Sequence, residues 1–225
     1  MQKTDDTLAH LFEDSRYFLY ERGDTVIRAG DTPSGVYIIT DGWIKVYSLC
    51  EDGEMNIIMN MTKGDIFPLD WTVTGRLHDV TFAALEATTV QRISKEKFVR
   101  ALKSNIDVSA AASFKLASYL VRLSHELEHL SYRSARERVA FRLVSLADHF
   151  GMPDGDQIVI RTRVSNEYVA RSTNMTRETA SREMSRLARK GLVNTIDGHI
   201  HIINLLALKN EVGKTFAISS GSVPI

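Results

Sequence analysis

An α+β protein is predicted: an antiparallel β-sandwich or barrel, then a long helix, then a winged helix-turn-helix. Three observations predict it. Residues 22 to 93 are cut by glycine turns into short β-rich runs, leucines recur at spacings of four and three from Leu116 to Leu130, and residues 165 to 203 read as two short helices followed by a hairpin.

The turns of the first region are Arg22-Gly23-Asp24, Ala29-Gly30-Asp31, Asp41-Gly42, Glu51-Asp52-Gly53 and Lys63-Gly64-Asp65. Between and after them lie Val36-Tyr37-Ile38-Ile39, Trp43 to Tyr47, Asn56 to Met59 and Thr88 to Ile93, rich in β-branched and aromatic residues. Many short strands with tight turns are the pattern of a closed or two-layered sheet. Beyond Ile93 the period changes. Leu116, Leu120, Leu123, Leu127 and Leu130 follow the 4, 3, 4, 3 spacing of a two-stranded coiled-coil seam, although the run is little more than two heptads and also fits a helix packed on its own domain.

A capping box, Ser134-Ala135-Arg136-Glu137, opens the next helix, which carries Val139, Leu143 and Leu146 on one face and ends near Gly151. Residues 152 to 156 read as a loop and Ile158 to Ile160 as a strand. Ser165 can cap a helix running to about Thr173, Asn174 tolerates the left-handed turn, and Thr176 can cap a second helix that Gly191 ends. Leu192 to Ile196, the turn Asp197-Gly198 and His199 to Ile203 complete a hairpin, the wing.

Composition limits what such a chain does. Of its 225 residues 44% are hydrophobic and 25% charged, enough to bury the core of one large or two ordinary domains. No apolar run nears the ~18 residues that cross a bilayer, and the start MQKTDDTLAH lacks a basic segment followed by an apolar one. The chain is read as cytoplasmic. Cys50 stands alone, so an intramolecular disulfide, an iron–sulfur cluster and a cysteine-based zinc site are excluded.

The formal charge is zero, yet the segment from Arg163 to Lys190 has a local balance of about +4, which suits a polyanion. On the second short helix Ala180, Met184 and Leu187 form an apolar stripe, and Arg177, Glu178, Ser181 and Arg182 lie on the other side near the N-terminal end. Arginine can donate two parallel hydrogen bonds to guanine, and glutamate can accept from cytosine N4. The N-terminal end of such a helix is the part that enters the major groove. Ser165, Asn166 and Thr176 at the helix starts join the candidate DNA contacts, and Arg189 and Lys190 at the helix end suit phosphates.

In this order of parts the chain resembles the CRP/FNR transcription regulators. The resemblance rests on Thr176-Arg177-Glu178-Thr179-Ala180-Ser181-Arg182 after a helix-turn-helix, on Gly35-Val36-Tyr37-Ile38-Ile39-Thr40-Asp41-Gly42 in the β region, and on the leucine-seamed helix. It implies an N-terminal β-roll, a cyclic-nucleotide-binding-like jelly roll, as effector or sensor domain over 1–105. A dimerisation helix over 106–132, a winged helix-turn-helix DNA-binding domain over 133–211 and a C-terminal tail over 212–225 follow. It further implies a homodimer on a twofold DNA site, no enzyme activity, no cofactor, and RNA polymerase as a partner. The family's Arg-Glu-Arg readers of a TGTGA half-site correspond to Arg177, Glu178 and Arg182; a valine at the position of Arg177 goes with TTGAT.

One departure bears on the effector. Cyclic-nucleotide binders of the family hold the ribose with a Gly-Glu pair and the phosphate with an Arg-Ser or Arg-Thr pair. Here the stretches read Gly64-Asp65-Ile66-Phe67-Pro68-Leu69-Asp70-Trp71 and Leu77-His78-Asp79-Val80-Thr81, without that glutamate or arginine. A cyclic phosphate would lie unpaired at a cost of several kcal/mol. The effector is thus expected to be something other than cyclic AMP, or there is none; Phe67, Trp71, His78 and Thr81 are the candidate pocket residues.

Two rivals are kept. His199-Ile200-His201 begins like a cupin metal motif and, with a β-roll, would make a metal-dependent cupin-like enzyme with an accessory helical domain, although the first following glutamate is Glu211. His125 and His129, four apart, lack a third ligand. A purely dimeric scaffold is the other rival, and it has no use for an exposed Arg-Glu-Arg set.

Overall fold

In a computed structural model, residues 2–212 are described except 51, 52, 54, 78 and 133. The chain divides into two compact units between His125 and Glu126.

The first unit opens with helix α1 (Gln2–Ala9) and a 3-10 turn (His10–Phe12), followed by strands β1 (Arg16–Tyr20), β2 (Thr25–Ile27), β3 (Val36–Asp41), β4 (Trp43–Leu49), β5 (Met55–Thr62) and β6 (Ile66–Phe67). After the short helix α2 (Leu69–Thr74) come β7 (Thr81–Ala84), β8 (Thr88–Ile93) and helix α3 (Lys95–Ser104). The strands form two antiparallel sheets, in the orders β1-β8-β3-β6 and β2-β7-β4-β5.

Strand β3 explains how these sheets acquire two cores. Its side chains alternate between faces, as the period of a strand requires. Tyr37 and Ile39 point into the roll with Ile44, Val46, Met61, Phe82 and Val90, whereas Val36 and Ile38 pack with Phe12, Phe98, Val108, Ala111 and Ala112 from the helices. At the β3–β4 turn Gly42 has φ 84° and sits where a Cβ would lie 2.4 Å from the Ala87 carbonyl, so only glycine fits.

Helix α4 (Ile106–Tyr132) is the long helix. Val108, Ala111 and Ala112 bury its inner face, and Leu116 and Tyr119 pack on the same core. The expected five-leucine seam is therefore split. Leu116 turns inward, Leu123 is half-buried, Leu120 and Leu127 are 66% and 65% exposed, and the Leu130 side chain lies outside the described residues. Residues seven apart keep one side, Leu116 with Leu123 and Leu120 with Leu127, whereas residues four apart point ~40° away from each other, so the core of the roll takes one edge of the leucine stripe and leaves the other edge to solvent. Among the described residues, the large apolar side chains exposed on this helix after its first turn are Phe114, Leu120, Val121 and Leu127.

The second unit contains α5 (Ala135–Phe150), β9 (Gly151–Asp154), β10 (Gln157–Ile160), α6 (Asn166–Ser172), α7 (Arg177–Arg189), β11 (Val193–Ile196), β12 (His199–Ile202) and α8 (Leu205–Glu211). The capping box at Ser134 and Glu137 forms as expected, and Val139, Leu143 and Leu146 are buried. The segment read as a loop after Gly151 is instead strand β9, paired with β10 at the edge of the sheet β11-β12-β10-β9. Apart from Val212, the C-terminal tail over 212–225 lies outside the described residues.

Candidate nucleic-acid interface

The two short helices are built by their caps. Ser165 Oγ accepts the Tyr168 N–H at 3.1 Å and Thr176 Oγ1 the Thr179 N–H at 3.3 Å, each satisfying a backbone donor that the first helical turn leaves free. Between the helices Asn174 takes φ 50°, and the Thr173 hydroxyl donates to Val169 O at 2.6 Å. Gly191, with φ 69°, ends α7.

Ala180, Met184 and Leu187 are buried on the inner face of α7, and so is Glu183. Arg177, Glu178, Arg182 and Arg189 are exposed, with Ser181 half-buried beside them. Arg182 is held only loosely, 3.5 Å from Thr179 Oγ1 and 3.8 Å from Glu183, so its guanidinium is available to a ligand. Exposed Ser185 and Arg186 extend the same face by one turn and were not singled out in the sequence, although they stand four residues beyond Ser181 and Arg182.

Two other expected contacts look different in the fold. Asn166, the first residue of α6, is half-buried. Lys190 Nζ lies 2.6 Å from Glu211 Oε1 on α8, and Arg136 Nε approaches the other oxygen of Glu211 at 3.5 Å, so Lys190 is already paired. Sequence spacing gave no sign of this, because the partners are 21 residues apart. On α6, Arg171 is likewise paired with Glu167 at 2.5 Å.

The hairpin of β11 and β12 is closed by Asp197 and Gly198, both at positive φ (51° and 82°), the geometry that keeps the twist of a two-residue hairpin. The stem of Arg163 runs alongside this turn, its Cδ 3.4 Å from where a Cβ on Gly198 would be. A cation just ahead of α6 thus lies beside the wing. His199 and His201 belong to β12, within the wing sheet and not within the roll, and no cluster of potential metal ligands is found among the described residues. The cupin arrangement, which needs its histidines on the roll, is not the one present.

In the first unit the candidate pocket residues have structural partners. The Phe67 ring is stacked with Tyr37 at 5.3 Å and with Phe82 at 5.1 Å in the buried core of the roll. Trp71 is buried with Lys95 Nζ 4.2 Å above its ring, and Thr81 Oγ1 accepts the Ala29 N–H at 3.2 Å. His78 lies outside the described residues.

The carboxylate following Gly64 is engaged as well. Asp65 is buried, accepts the Thr62 N–H at 3.0 Å, and faces Lys115 at 3.5 Å and Arg122 at 3.1 Å from α4. Tyr119 stands beside it, its hydroxyl accepting the Ile66 N–H at 2.9 Å. Burial, with Asp65 adding to it, holds the Tyr119 phenol well above the usual tyrosine range.

Comparison with known proteins fits this geometry. Residues 18–105 match the cyclic nucleotide-binding domain, and residues 137–211 match the Crp-like helix-turn-helix domain, so the two family models together take in most of the chain. The chain belongs to the CRP/FNR family of transcription regulators. It is 26% identical to the global nitrogen regulator of Synechocystis sp. over 85% of this chain and 86% of that one. With the cAMP-activated global transcriptional regulator CRP of Pasteurella multocida it shares 25% identity over 84% of this chain and 91% of the relative. The crystal structure of a CRP-family transcriptional regulator from Thermus thermophilus superposes with a TM-score of 0.76 at 25% identity, covering 88% of this chain and 97% of the other. As a CRP/FNR regulator the chain is a DNA-binding protein and not an enzyme. None of its described helices is long and apolar enough to cross a membrane.

Proposed function

We propose that the chain acts as a homodimer on a palindromic DNA site whose half resembles TGTGA, with Arg177, Glu178 and Arg182 reading base edges. The observation that carries this is the division of α7: its apolar stripe is buried, and these three side chains stand exposed on its first turns. That is the end of a recognition helix that reaches base edges. Ser165, Thr176, Ser181 and Arg189 surround them as further contacts, chiefly to phosphate.

The exposed apolar residues Phe114, Leu120, Val121 and Leu127 support dimerisation, because apolar side chains on the solvent side of one long helix gain from burial against a second copy. The effector, where there is one, is other than cyclic AMP. Neither glutamate nor arginine stands at the ribose and phosphate positions, and Asp65 is already matched by two cations. The setting is cytoplasmic, with RNA polymerase as a partner on the DNA.

Selection of bound duplexes from a random pool tests the reading. Enrichment of an inverted repeat, with half-site centres roughly 34 Å apart, is the expected result. Recovery of unrelated sequences at equal strength would overturn it.

A further inference from the structure

The reading face of α7 points where the turn after α6 sends it. That turn begins at Ser172 and Thr173, whose hydroxyls both bond back to Val169 O, at 3.1 and 2.6 Å. The last carbonyls of a helix have no partner inside it and carry partial negative charge. At the end of α6 this need is met from outside: Arg142 Nη2 donates to Ser172 O at 2.8 Å.

Arg142 comes from the middle of α5 and its side chain is only 4% exposed. Its guanidinium is gripped by one carboxylate, Nη1 to Glu126 Oε1 at 3.0 Å and Nη2 to Glu126 Oε2 at 2.6 Å. Glu126 lies in the last two turns of α4. Among the described residues Arg142 Nε finds no hydrogen-bond partner, so its two terminal nitrogens carry the contacts that hold this buried cation. Burying a cation costs free energy, so the arrangement calls for a reason beyond stability.

Stability is not a sufficient reason. Desolvation offsets most of the attraction in a buried ion pair, and apolar residues of the same volume often do as well. Direction is what a guanidinium adds, since its planar fork meets three acceptors in only one arrangement. We infer that Arg142 is a positioning residue for base recognition: gripped by Glu126, it holds the Ser172 carbonyl and so fixes the turn that aims α7. This rests on the proposed reading of DNA by α7.

The test uses the full-length protein, the duplex that the wild type enriches from a random pool, and a scrambled duplex of the same composition. Replacing both partners, Glu126→Leu with Arg142→Met, removes the charges together. The expected result is cooperative melting close to that of the wild type, a roughly tenfold loss of affinity for the enriched duplex, and unchanged affinity for the scrambled one. Equal change on both duplexes, or none on either, overturns the inference. If the double variant does not melt cooperatively, Glu126→Gln replaces it and is judged by the same ratio of affinities. A wild type that cannot tell the two duplexes apart overturns the reading beneath the inference, and is recognised before any variant is measured.

Discussion

Asp65 Oδ2 accepts a hydrogen bond from Arg122 Nη1 at 3.1 Å, joining the turn before β6 to a residue 57 positions later on α4. Lys115 shares the same carboxylate. Asp65→Ala would leave two largely buried cations facing each other, and should lower the stability of the first unit by roughly 2–4 kcal/mol. Asp65→Asn, which still accepts the Thr62 N–H, should cost less. Urea unfolding of the two variants checks the order.

Tyr119 should make its contribution visible at alkaline pH. An unfolded tyrosine ionises near pH 10, whereas the buried phenol keeps its proton to higher pH. Between those values the unfolded state has lost a proton that the folded state retains. The stabilisation is therefore full below about pH 10 and is lost as pH rises towards the folded value. Tyr119→Phe should flatten that alkaline fall and, by stranding the Ile66 N–H, cost about 1–3 kcal/mol at neutral pH. Stability curves at pH 7 and pH 10.5 that fall in parallel for both proteins would contradict this.

Charges placed on the outer face of α4 should act differently from one on its inner face. Leu120→Glu with Leu127→Glu puts like charges into the proposed dimer seam and should give folded monomers in sedimentation velocity. Leu116→Glu should instead depress the melting temperature, because that side chain packs on its own domain's core.

On the DNA side, Arg182→Ala should cost about 1–3 kcal/mol on the enriched duplex and relax preference at one base pair. Its effect on scrambled DNA should be small. Lys190→Ala should weaken all duplexes alike. Glu211→Gln, which releases Lys190 and Arg136, should strengthen binding to all duplexes and steepen its salt dependence. Fluorescence anisotropy over a salt series separates these cases.

Cyclic AMP should give no heat of binding in titration calorimetry. A micromolar dissociation constant at one site per chain would require a phosphate partner elsewhere in the roll.

What was legible in the sequence was local. The turn at Gly42, the capping box at Ser134, the caps Ser165 and Thr176 and the Asp197-Gly198 hairpin each announce themselves within four or five residues, and each formed. Helices α3 and α8 carried similar signals in Ser94 and Asn204, which cap Lys97 N and Ala207 N, and α3 also has Phe98, Ala101 and Leu102 at helical spacing on its core face, though neither helix was singled out in the sequence. Contacts between distant segments were not legible. Nothing near Phe67 says that Tyr37 and Phe82 stack with it, and nothing near Lys190 points to Glu211. The heptad spacing of leucines likewise did not tell which of them the β-roll would claim.

Strand β9 has a bearing on how this protein behaves when concentrated. The free edge of a sheet is a template on which another chain can add a strand, the first step of many aggregates. This edge is four residues long, and its third residue, Pro153, has no N–H to offer. An incoming strand would find too few donors in register to hold it. Pro153→Val would restore a regular row of donors and should raise self-association in concentrated solution, because what read as a break in the sequence is a proline that obstructs edge-to-edge strand pairing.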